Sequence, residues 1–205
     1  MSVIVRQVKT KNDLKEFIDL PYRIYKNEVN RVPLIRRDEM KTLLPKYNPA
    51  FEFCDTGLWL AELNGKVVER IGRVFNHRYN EKTSRRLARF TRPEFFSEIQ
   101  IAKKLFDTVE EWGKNKGMLG IHGPLGFTNL DHQGLLIEGF DYLPCVASEY
   151  HLPYYKNYIE NFGYTKEIDW VEFRLTIGVH KILFHYYKHI QHKRKRCFIK
   201  TFEAA

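Results

Sequence analysis

Residues 98–122 read EIQIAKKLFDTVEEWGKNKGMLGIH, and this stretch decides the fold. Its apolar residues recur at helical spacing and form one stripe, made of Ile101, Ala102, Leu105, Phe106, Val109 and Trp112. Gly113, Asn115 and Gly117 favour an end to the helix. The segment Met118–His122 that follows is short and mostly apolar, as in a buried strand. The stretch therefore predicts a long amphipathic helix leading into a strand.

The flanking sequence predicts further strands and helices around this unit. Thr10 and Asp13 approximate a capping box in front of a helix, and Asn64-Gly65 is a strong hairpin signal. The predicted elements are a strand at Val3–Val8, helices near Asp13–Tyr25 and after Pro33, hairpin strands at Gly57–Glu62 and Lys66–Phe75, a strand at Arg86–Phe96, a helix at Tyr154–Asn161 and closing strands at Tyr164–Thr176. This order predicts an α/β (α+β) domain, a mixed central sheet with helices on both faces.

A long stretch without a periodic pattern runs from Gly123 to about Tyr150. Loops of this length inside compact domains are functional or disordered in most cases. This one is rich in Leu, Phe and Gly, so we expect it to be ordered and to line a site.

Charge is distributed unevenly along the 205 residues. Lys and Arg number 34 against 25 Asp and Glu, a net charge of +9, and residues 179–205 hold seven of the basic residues against one acid. The remainder is close to neutral, which argues against a nucleic-acid-binding body. The sequence shows no membrane-spanning run and no signal peptide near the N-terminus, and its three cysteines make no disulfide framework. These features predict a cytoplasmic protein.

The basic segment leads us to divide the chain into a domain at 1–178 and a tail at 179–205. Three interpretations of the tail remain open: an amphipathic helix packed on the domain, the remnant of a truncated second domain, or a polyanion-binding segment. Nucleic acid is expected as a partner only through this segment, and no membrane partner is expected.

Common catalytic and metal-binding motifs are absent. The sequence contains no P-loop, no dinucleotide-binding G-x-G-x-x-G, no G-x-S-x-G and no H-E-x-x-H. His185, His189 and His192 have helical spacing, but they lack an acidic or thiol companion and lie among cations. We interpret them as a solvated face and predict no metal site.

Three stretches carry a resemblance to a known family: FIDLPYRIYKNEVNRV at 17–32, HGPLGFTNLDHQGLLIEGF at 122–140 and PYYKNYIENFGYTKEIDWVEFR at 153–174. With the element order, they resemble the GNAT superfamily of acyltransferases, and within it a bacterial group of N-acetyltransferase-like proteins. The resemblance covers about residues 3–177. It implies transfer of an acyl group from acetyl-CoA or another acyl-CoA to a small-molecule amine.

The resemblance also implies where the acyl-CoA pyrophosphate should bind, at the turn between a central strand and the helix after it. Helix N-termini are good anion sites because their backbone N–H groups are unpaired. The turn here, PEFFSEIQI at 93–101, departs from the family signature because it has no glycine and carries Glu94 and Glu98. Ser97 is the candidate cofactor-binding residue, with a simple helix cap as the alternative.

His122, Glu149 and Tyr155 are the candidate catalytic residues. The family's proton-donating tyrosine falls at Ile159, and Tyr155 lies one helical turn earlier on the same face. His122 and Glu149 are titratable groups next to the long loop and could accept a proton from the amine. The alternatives are core packing for Tyr155, a hydrogen bond to the turn for His122 and a surface ion pair for Glu149.

Thr128, Asn129 and Asp131 are candidate ligand-binding residues in the long loop, with turn-forming hydrogen bonds as the alternative. Two function classes remain open. One is an acyl-CoA-dependent N-acetyltransferase, and the other is a non-catalytic GNAT-like domain that binds a ligand or acts as a scaffold. The sequence identifies neither the acceptor nor the oligomeric state.

Overall fold

The computed structural model describes residues 2–96, 98–145, 148–174 and 191–202. Their strands and helices alternate around one mixed sheet. The elements in chain order are β1 Val3–Gln7, α1 Lys11–Ile24, α2 Arg36–Thr42, a 3-10 helix at Pro49–Glu52, β2 Cys54–Leu63, β3 Lys66–Asn76, α3 His77–Thr83, β4 Leu87–Glu94, α4 Ile99–Asn115, β5 Gly120–Gly123, β6 Leu135–Glu138, α5 Tyr154–Asn161, β7 Thr165–Arg174 and β8 Gln191–Thr201.

The sheet has eight strands, and β1 to β4 form an antiparallel meander. β4 and β5 then pair in parallel, and α4 is the connection between them. One edge of β8 pairs with β5 and β6, and its other edge pairs with β7 along nearly its whole length. The predicted mixed sheet with helices on both faces is confirmed.

The main core lies between the sheet and α4. Phe106 of α4 is completely buried, and its ring centroid lies 5.3 Å from that of Phe90 on β4 and 5.2 Å from those of Phe162 and Tyr164. Phe95 completes this group at 5.6 Å from Phe106. We call these five residues the aromatic cluster. The apolar stripe that predicted α4 is thus the side of the helix that packs on the sheet.

The turn between β2 and β3 and the N-terminal cap of α1 have the structures that their sequences predicted. Asn64 and Gly65 both have positive φ, 50° and 78°, as the tight turn between β2 and β3 requires. Thr10 and Asp13 form a reciprocal capping box at the start of α1. The short helix α3 was not predicted. Among the described residues, no helix is both long enough and apolar enough to cross a bilayer.

Separating residues 179–205 from the domain was wrong for Gln191–Thr201. This segment is strand β8, and Phe198 within it is completely buried in the main core. Two of its charges are paired with acids of β7: Arg196 bonds Asp169 at 2.7 Å and Lys195 bonds Glu172 at 2.9 Å. The helix and the histidines predicted between 179 and 190 lie outside the described residues.

Candidate functional site

A β-bulge near the end of β4 marks the centre of the candidate site. Gly72 of β3 pairs with Thr91 and Arg70 pairs with Glu94, so β4 has one residue more than β3 over this interval. Within it Arg92 has a φ of 51°, a left-handed conformation that costs free energy in a residue other than glycine. Bulges of this kind re-aim side chains and occur often beside active sites.

A cleft lies over this bulge, on the side of the sheet opposite α4. It consists of a cavity of about 310 Å³ and a second of about 600 Å³, which share Pro33, Leu34 and Glu39 in their walls. The residues after α1 and the start of α2 form one wall. The end of β4 and the long loop between β5 and α5 form the other walls. The described residues of this loop line the cleft, in agreement with the prediction that the loop lines a site.

Pro21 fixes one buried cation at the base of the cleft. A proline has no N–H, so the carbonyl four residues earlier in the helix, that of Phe17, loses its helical partner. Arg70 supplies the missing donor from Nη1 at 2.6 Å and stacks over the Phe17 ring at 4.6 Å. A helix irregularity that the sequence shows as a single proline therefore positions a guanidinium beneath the cleft.

Glu94 is the centre of a buried polar network beside Arg70. Its carboxylate accepts a hydrogen bond from the Tyr25 hydroxyl at 2.5 Å, and Arg70 and Arg31 lie 3.5 and 3.7 Å away. The Tyr155 hydroxyl is 3.2 Å from both the Glu94 carboxylate and the Tyr25 hydroxyl. Burial raises the pKa of Glu94, and the two guanidinium groups offset this only in part. A carboxylate with a raised pKa is suited to accept a proton near neutral pH.

A second acid, Glu149, lies between two histidines. His132 Nδ1 is 3.5 Å and His151 Nε2 is 3.7 Å from its oxygens. Burial alone would raise the pKa of Glu149, but His132 and Arg31 outweigh it and hold that pKa well below its usual range. Burial lowers the pKa of His151 to about 4, and His151 Nδ1 accepts the Leu136 N–H. Glu149 is therefore ionised and His151 is neutral at pH 7.

The larger cavity is negatively charged and has an apolar rim. The described residues that line it include four acids and one arginine: Asp38, Glu39, Asp131, Glu149 and Arg92. Arg92 is already held by Glu39 through two hydrogen bonds. Val32, Ile35 and Leu130 also line the cavity and are 51, 67 and 90 % exposed. Exposed apolar groups at the mouth of a charged cavity suit a ligand with a cationic end and an apolar part.

Two of the three predicted catalytic residues come together here. Glu149 lines the larger cavity, and Tyr155 belongs to the Glu94 network, with its hydroxyl completely buried. His122 lies elsewhere, in a cavity of about 210 Å³ beside β5, β7 and β8, with Nδ1 3.0 Å from Glu167. The catalytic roles of the three residues stay predictions.

Two of the three predicted ligand-binding residues, Thr128 and Asp131, make the turn contacts given as their alternative. Asp131 accepts the Thr128 N–H at 2.7 Å, and Thr128 Oγ1 accepts the Leu130 N–H at 3.2 Å. Asp131 also faces the larger cavity, whereas Asn129 lines the His122 cavity. Ser97, the predicted cofactor-binding residue, lies outside the described residues.

The described residues of the turn after β4 do not fit the pyrophosphate of an acyl-CoA. The Phe95 side chain fills the core, and its backbone N–H is already bonded to the Tyr155 hydroxyl at 2.8 Å. Glu98 is an exposed acid at the N-cap position of α4, where it would repel a phosphate. Glu94, expected from the sequence to face this turn, points instead into the buried network.

Sequence reasoning missed Tyr25, Arg31, Arg70 and the inward position of Glu94. Tyr25 and Arg31 lie in the stretch 17–32 that carries the family resemblance, and Glu94 lies in the turn at 93–101, but neither stretch assigns them a role, and Arg70 lies in no motif. The one available signal was Pro21, which marks a free carbonyl but not the residue that bonds it.

Comparison with known structures identifies the class of fold. An N-acetyltransferase from Staphylococcus aureus Mu50 superposes with a TM-score of 0.60 at 11 % identity, over 98 % of this chain and 99 % of that one. A tandem GNAT protein from the clavulanic acid biosynthesis pathway superposes with a TM-score of 0.58 at 10 % identity, over 85 % of this chain and 48 % of that one. The chain has the GNAT acetyltransferase fold, as its sequence predicted.

Two curated proteins are similar in sequence. Protein YghO of Escherichia coli strain K12 is 32 % identical over 81 % of this chain. The bacterial ceramide synthase of Caulobacter vibrioides strain NA1000 / CB15N is 30 % identical over 79 % of it. The matched region makes up 42 % of each of these proteins, so the chain spans about two fifths of their length. The chain matches no protein-family model.

Proposed function

We propose that this chain is an N-acyltransferase domain whose acceptor is a primary amine with an apolar chain. The observation that carries the proposal is the larger cavity, where four acids face one arginine beneath an exposed apolar rim. The name of one relative, a bacterial ceramide synthase, agrees with it, because a ceramide is an amide with long apolar chains. The GNAT fold supports amine acylation as the type of reaction.

Glu149 is the residue proposed to bind the ammonium group. Its low pKa keeps it ionised, and it lines the larger cavity. A carboxylate held in a partly buried cavity attracts a cation more strongly than one in water, because the effective dielectric constant is lower. His132 and His151 fix its position from either side.

Tyr25 and Glu94 are proposed to take the proton that the ammonium must lose before its nitrogen can form an amide. Tyr25 lines the smaller cavity and donates to Glu94 at 2.5 Å, so it can pass a proton to Glu94 while receiving one from the amine. Burial raises the pKa of Tyr25 well above its usual value, so the hydroxyl relays the proton without ionising. Tyr155 acts here as a positioning residue that holds Glu94 and Phe95 together.

The turn after β4 favours a second candidate function, an amine-binding domain without acyl transfer. In this turn the Phe95 N–H is already bonded to the Tyr155 hydroxyl, and the sequence has no glycine there. Neither feature favours binding of a pyrophosphate. In this second candidate function the cleft binds the amine, but the domain binds no acyl-CoA.

Calorimetric titration with octylamine, octanoate and propylamine tests the acceptor site. We expect octylamine to bind most tightly, propylamine weakly and octanoate not at all. Glu149→Gln should weaken octylamine binding at least tenfold, whereas Glu111→Gln, an exposed acid on α4, should leave it unchanged. Equal binding of octylamine and octanoate would refute the proposed acceptor.

Mass spectrometry of the same amine incubated with acetyl-CoA or palmitoyl-CoA separates the two functions. An N-acyl octylamine that depends on the protein and is lost in Glu94→Gln supports the transferase. Octylamine binding without any amide product, together with no thermal stabilisation by either acyl-CoA, supports the amine-binding domain. This second arm uses the unmodified chain, so failure of a variant to fold does not decide it.

A further inference from the structure

The strongest cluster of metal-ligating side chains lies apart from the cleft, where β5, β7 and β8 meet. His122, Glu167 and Cys197 each offer one ligand atom, and these atoms all lie within 4.8 Å of one another. Glu167 Oε2 is 3.0 Å from His122 Nδ1 and 3.3 Å from Cys197 Sγ. Ligand atoms around a tetrahedral Zn²⁺ are about 3.4 to 3.6 Å apart, from ordinary Zn–N, Zn–O and Zn–S lengths. The two distances from Glu167 are therefore close to that spacing, and the remaining pair lies within 4.8 Å.

Strand register brings these three residues together. Gly123 of β5 pairs with Phe198 of β8, so His122 and Cys197 lie close across two neighbouring strands. On the other edge of β8, the register shifts between Lys166 and Ile168, which leaves Glu167 as an extra residue in β7. This bulge turns the Glu167 side chain towards the histidine and the thiol, a common use of bulges at functional sites.

Charge and hydrogen bonding also suit one divalent cation. A thiolate and a carboxylate carry two negative charges and a neutral histidine carries none, so Zn²⁺ would make the buried group neutral. Arg85 bonds Glu167 Oε1 at 3.1 Å, which leaves Oε2 for the cluster and fixes the carboxylate. Arg89 lines the adjacent cavity, but its guanidinium bonds the carbonyls of Gly126 and Phe127, each at 3.0 Å.

We propose that His122, Glu167 and Cys197 bind one Zn²⁺ ion, which joins the β7–β8 pair to β5. The adjacent cavity of about 210 Å³ leaves room for a water molecule as the fourth ligand. The combination of thiolate, imidazole and carboxylate selects Zn²⁺ over Mg²⁺ or Ca²⁺, which prefer oxygen ligands.

Binding exchanges protons for the metal. Without it, the thiol donates to Glu167, and burial beside that carboxylate raises the pKa of Cys197 well above its usual value. Zn²⁺ displaces the thiol proton to solvent, and binding at His122 Nδ1 uses the neutral tautomer whose proton is on Nε2. No oxidation is involved.

Cobalt spectroscopy tests this site on the full chain after treatment with a chelator. Titration with Co²⁺ should give a thiolate-to-cobalt charge-transfer band that saturates at one equivalent and is abolished by Zn²⁺. Cys197→Ser should remove the band, while Cys145→Ser, a change in an exposed loop cysteine, should keep it. Glu167→Gln should keep the fold and weaken Co²⁺ binding at least tenfold, because one ligand is lost.

Two outcomes would overturn the proposal. One is the absence of a charge-transfer band at stoichiometric Co²⁺ in the unmodified chain. The other is a band that survives in Cys197→Ser or disappears in Cys145→Ser. If Cys197→Ser does not fold, as judged by circular dichroism, Glu167→Gln decides the question. Unchanged affinity in that variant then counts against the site.

Discussion

The aromatic cluster under α4 and the cleft on the opposite face are both buried parts of one sheet, but they are built differently. The cluster is made of rings that pack edge to face or tilted, with centroids 5.2 to 5.6 Å apart. The cleft holds Arg70, Glu94, Glu149 and Glu39, all below 9 % exposure. Apolar packing stabilises a fold directly, whereas the attraction within a buried ion pair is largely offset by the loss of hydration of its charges. The difference indicates that the cluster supports the fold and the cleft supports function.

The strained backbone lies on the cleft side as well. Arg92, at the bulge of β4, has a positive φ and is held by Glu39 of α2. Strain of this kind persists where surrounding contacts enforce it, and it gathers at functional sites. Substitutions in the aromatic cluster should therefore lower the free energy of unfolding more than substitutions around the cleft.

Phe106→Ala should give the largest effect. It removes a completely buried ring that contacts four others, and truncating such a residue costs about 3–5 kcal/mol. Urea unfolding followed by circular dichroism measures the loss. Phe173→Ala on β7, where the ring is 66 % exposed, is the matched control and should change stability by less than about 0.5 kcal/mol. A loss near 1 kcal/mol for Phe106→Ala would contradict the assigned role of the cluster.

His151 should make stability depend on pH from the cleft side. Its pKa is about 4 in the folded protein and about 6.5 when unfolded, so between pH 7 and pH 5 the unfolded chain takes up the proton. The free energy of unfolding therefore decreases by about 2 kcal/mol as the pH is lowered from 7 to 5. Urea unfolding of His151→Gln at both pH values should lack that loss.

His77→Gln is the control for this comparison, since His77 is half exposed on the surface. It should keep the pH dependence of the unmodified chain. The raised pKa of His132 acts in the opposite direction, because it adds stability as pH falls, but it is common to all three proteins. Equal pH dependence in His151→Gln and the unmodified chain would show that folding does not lower the pKa of His151.

Thr10→Ala should have a smaller effect, at the start of the helix that walls the cleft. Thr10 Oγ1 accepts the Asp13 N–H at 3.1 Å, and Asp13 accepts the Thr10 N–H at 2.9 Å. Removing such a cap costs about 1 kcal/mol. Thr108→Ala, in the exposed middle of α4, removes a hydroxyl without a cap and should be neutral or slightly stabilising. Equal effects of the two substitutions in urea unfolding would refute the capping role.

The sequence predicted most of the fold because its signals are local. The apolar stripe of α4, the Asn64-Gly65 turn and the capping box of α1 each act within a few residues. Strand β8 was missed because its basic side chains hide the apolar alternation of a strand. Two of their charges are paired with Asp169 and Glu172, whose positions across the sheet depend on the tertiary structure.

The site was predicted only in part, for the same physical reason. Glu149 and Tyr155 were found because they flank a long loop and a helix of the family pattern. Glu94 lies 69 positions from Tyr25 and 24 from Arg70, and Arg70 lies 53 positions from Phe17, which it bonds. Glu167 lies 45 positions from His122 and 30 from Cys197, and a strand bulge brings the three together. Contacts of this range leave no periodic signal in the chain.

Leu130→Ser should have the smallest effect on stability and so sharpens the contrast most. The side chain is 90 % exposed at the rim of the larger cavity, so its loss should change the free energy of unfolding by less than about 0.5 kcal/mol.

If the rim binds the apolar chain of the ligand, octylamine affinity should fall about tenfold, or about 1.4 kcal/mol, in calorimetric titration. Propylamine, which lacks the longer apolar chain, should bind as before. Ile4→Ser on the edge strand β1, 54 % exposed and far from the cleft, should leave both affinities unchanged. An octylamine affinity equal in Leu130→Ser and the unmodified chain would show that the rim does not contact the ligand, and the cleft would then be a site for short amines.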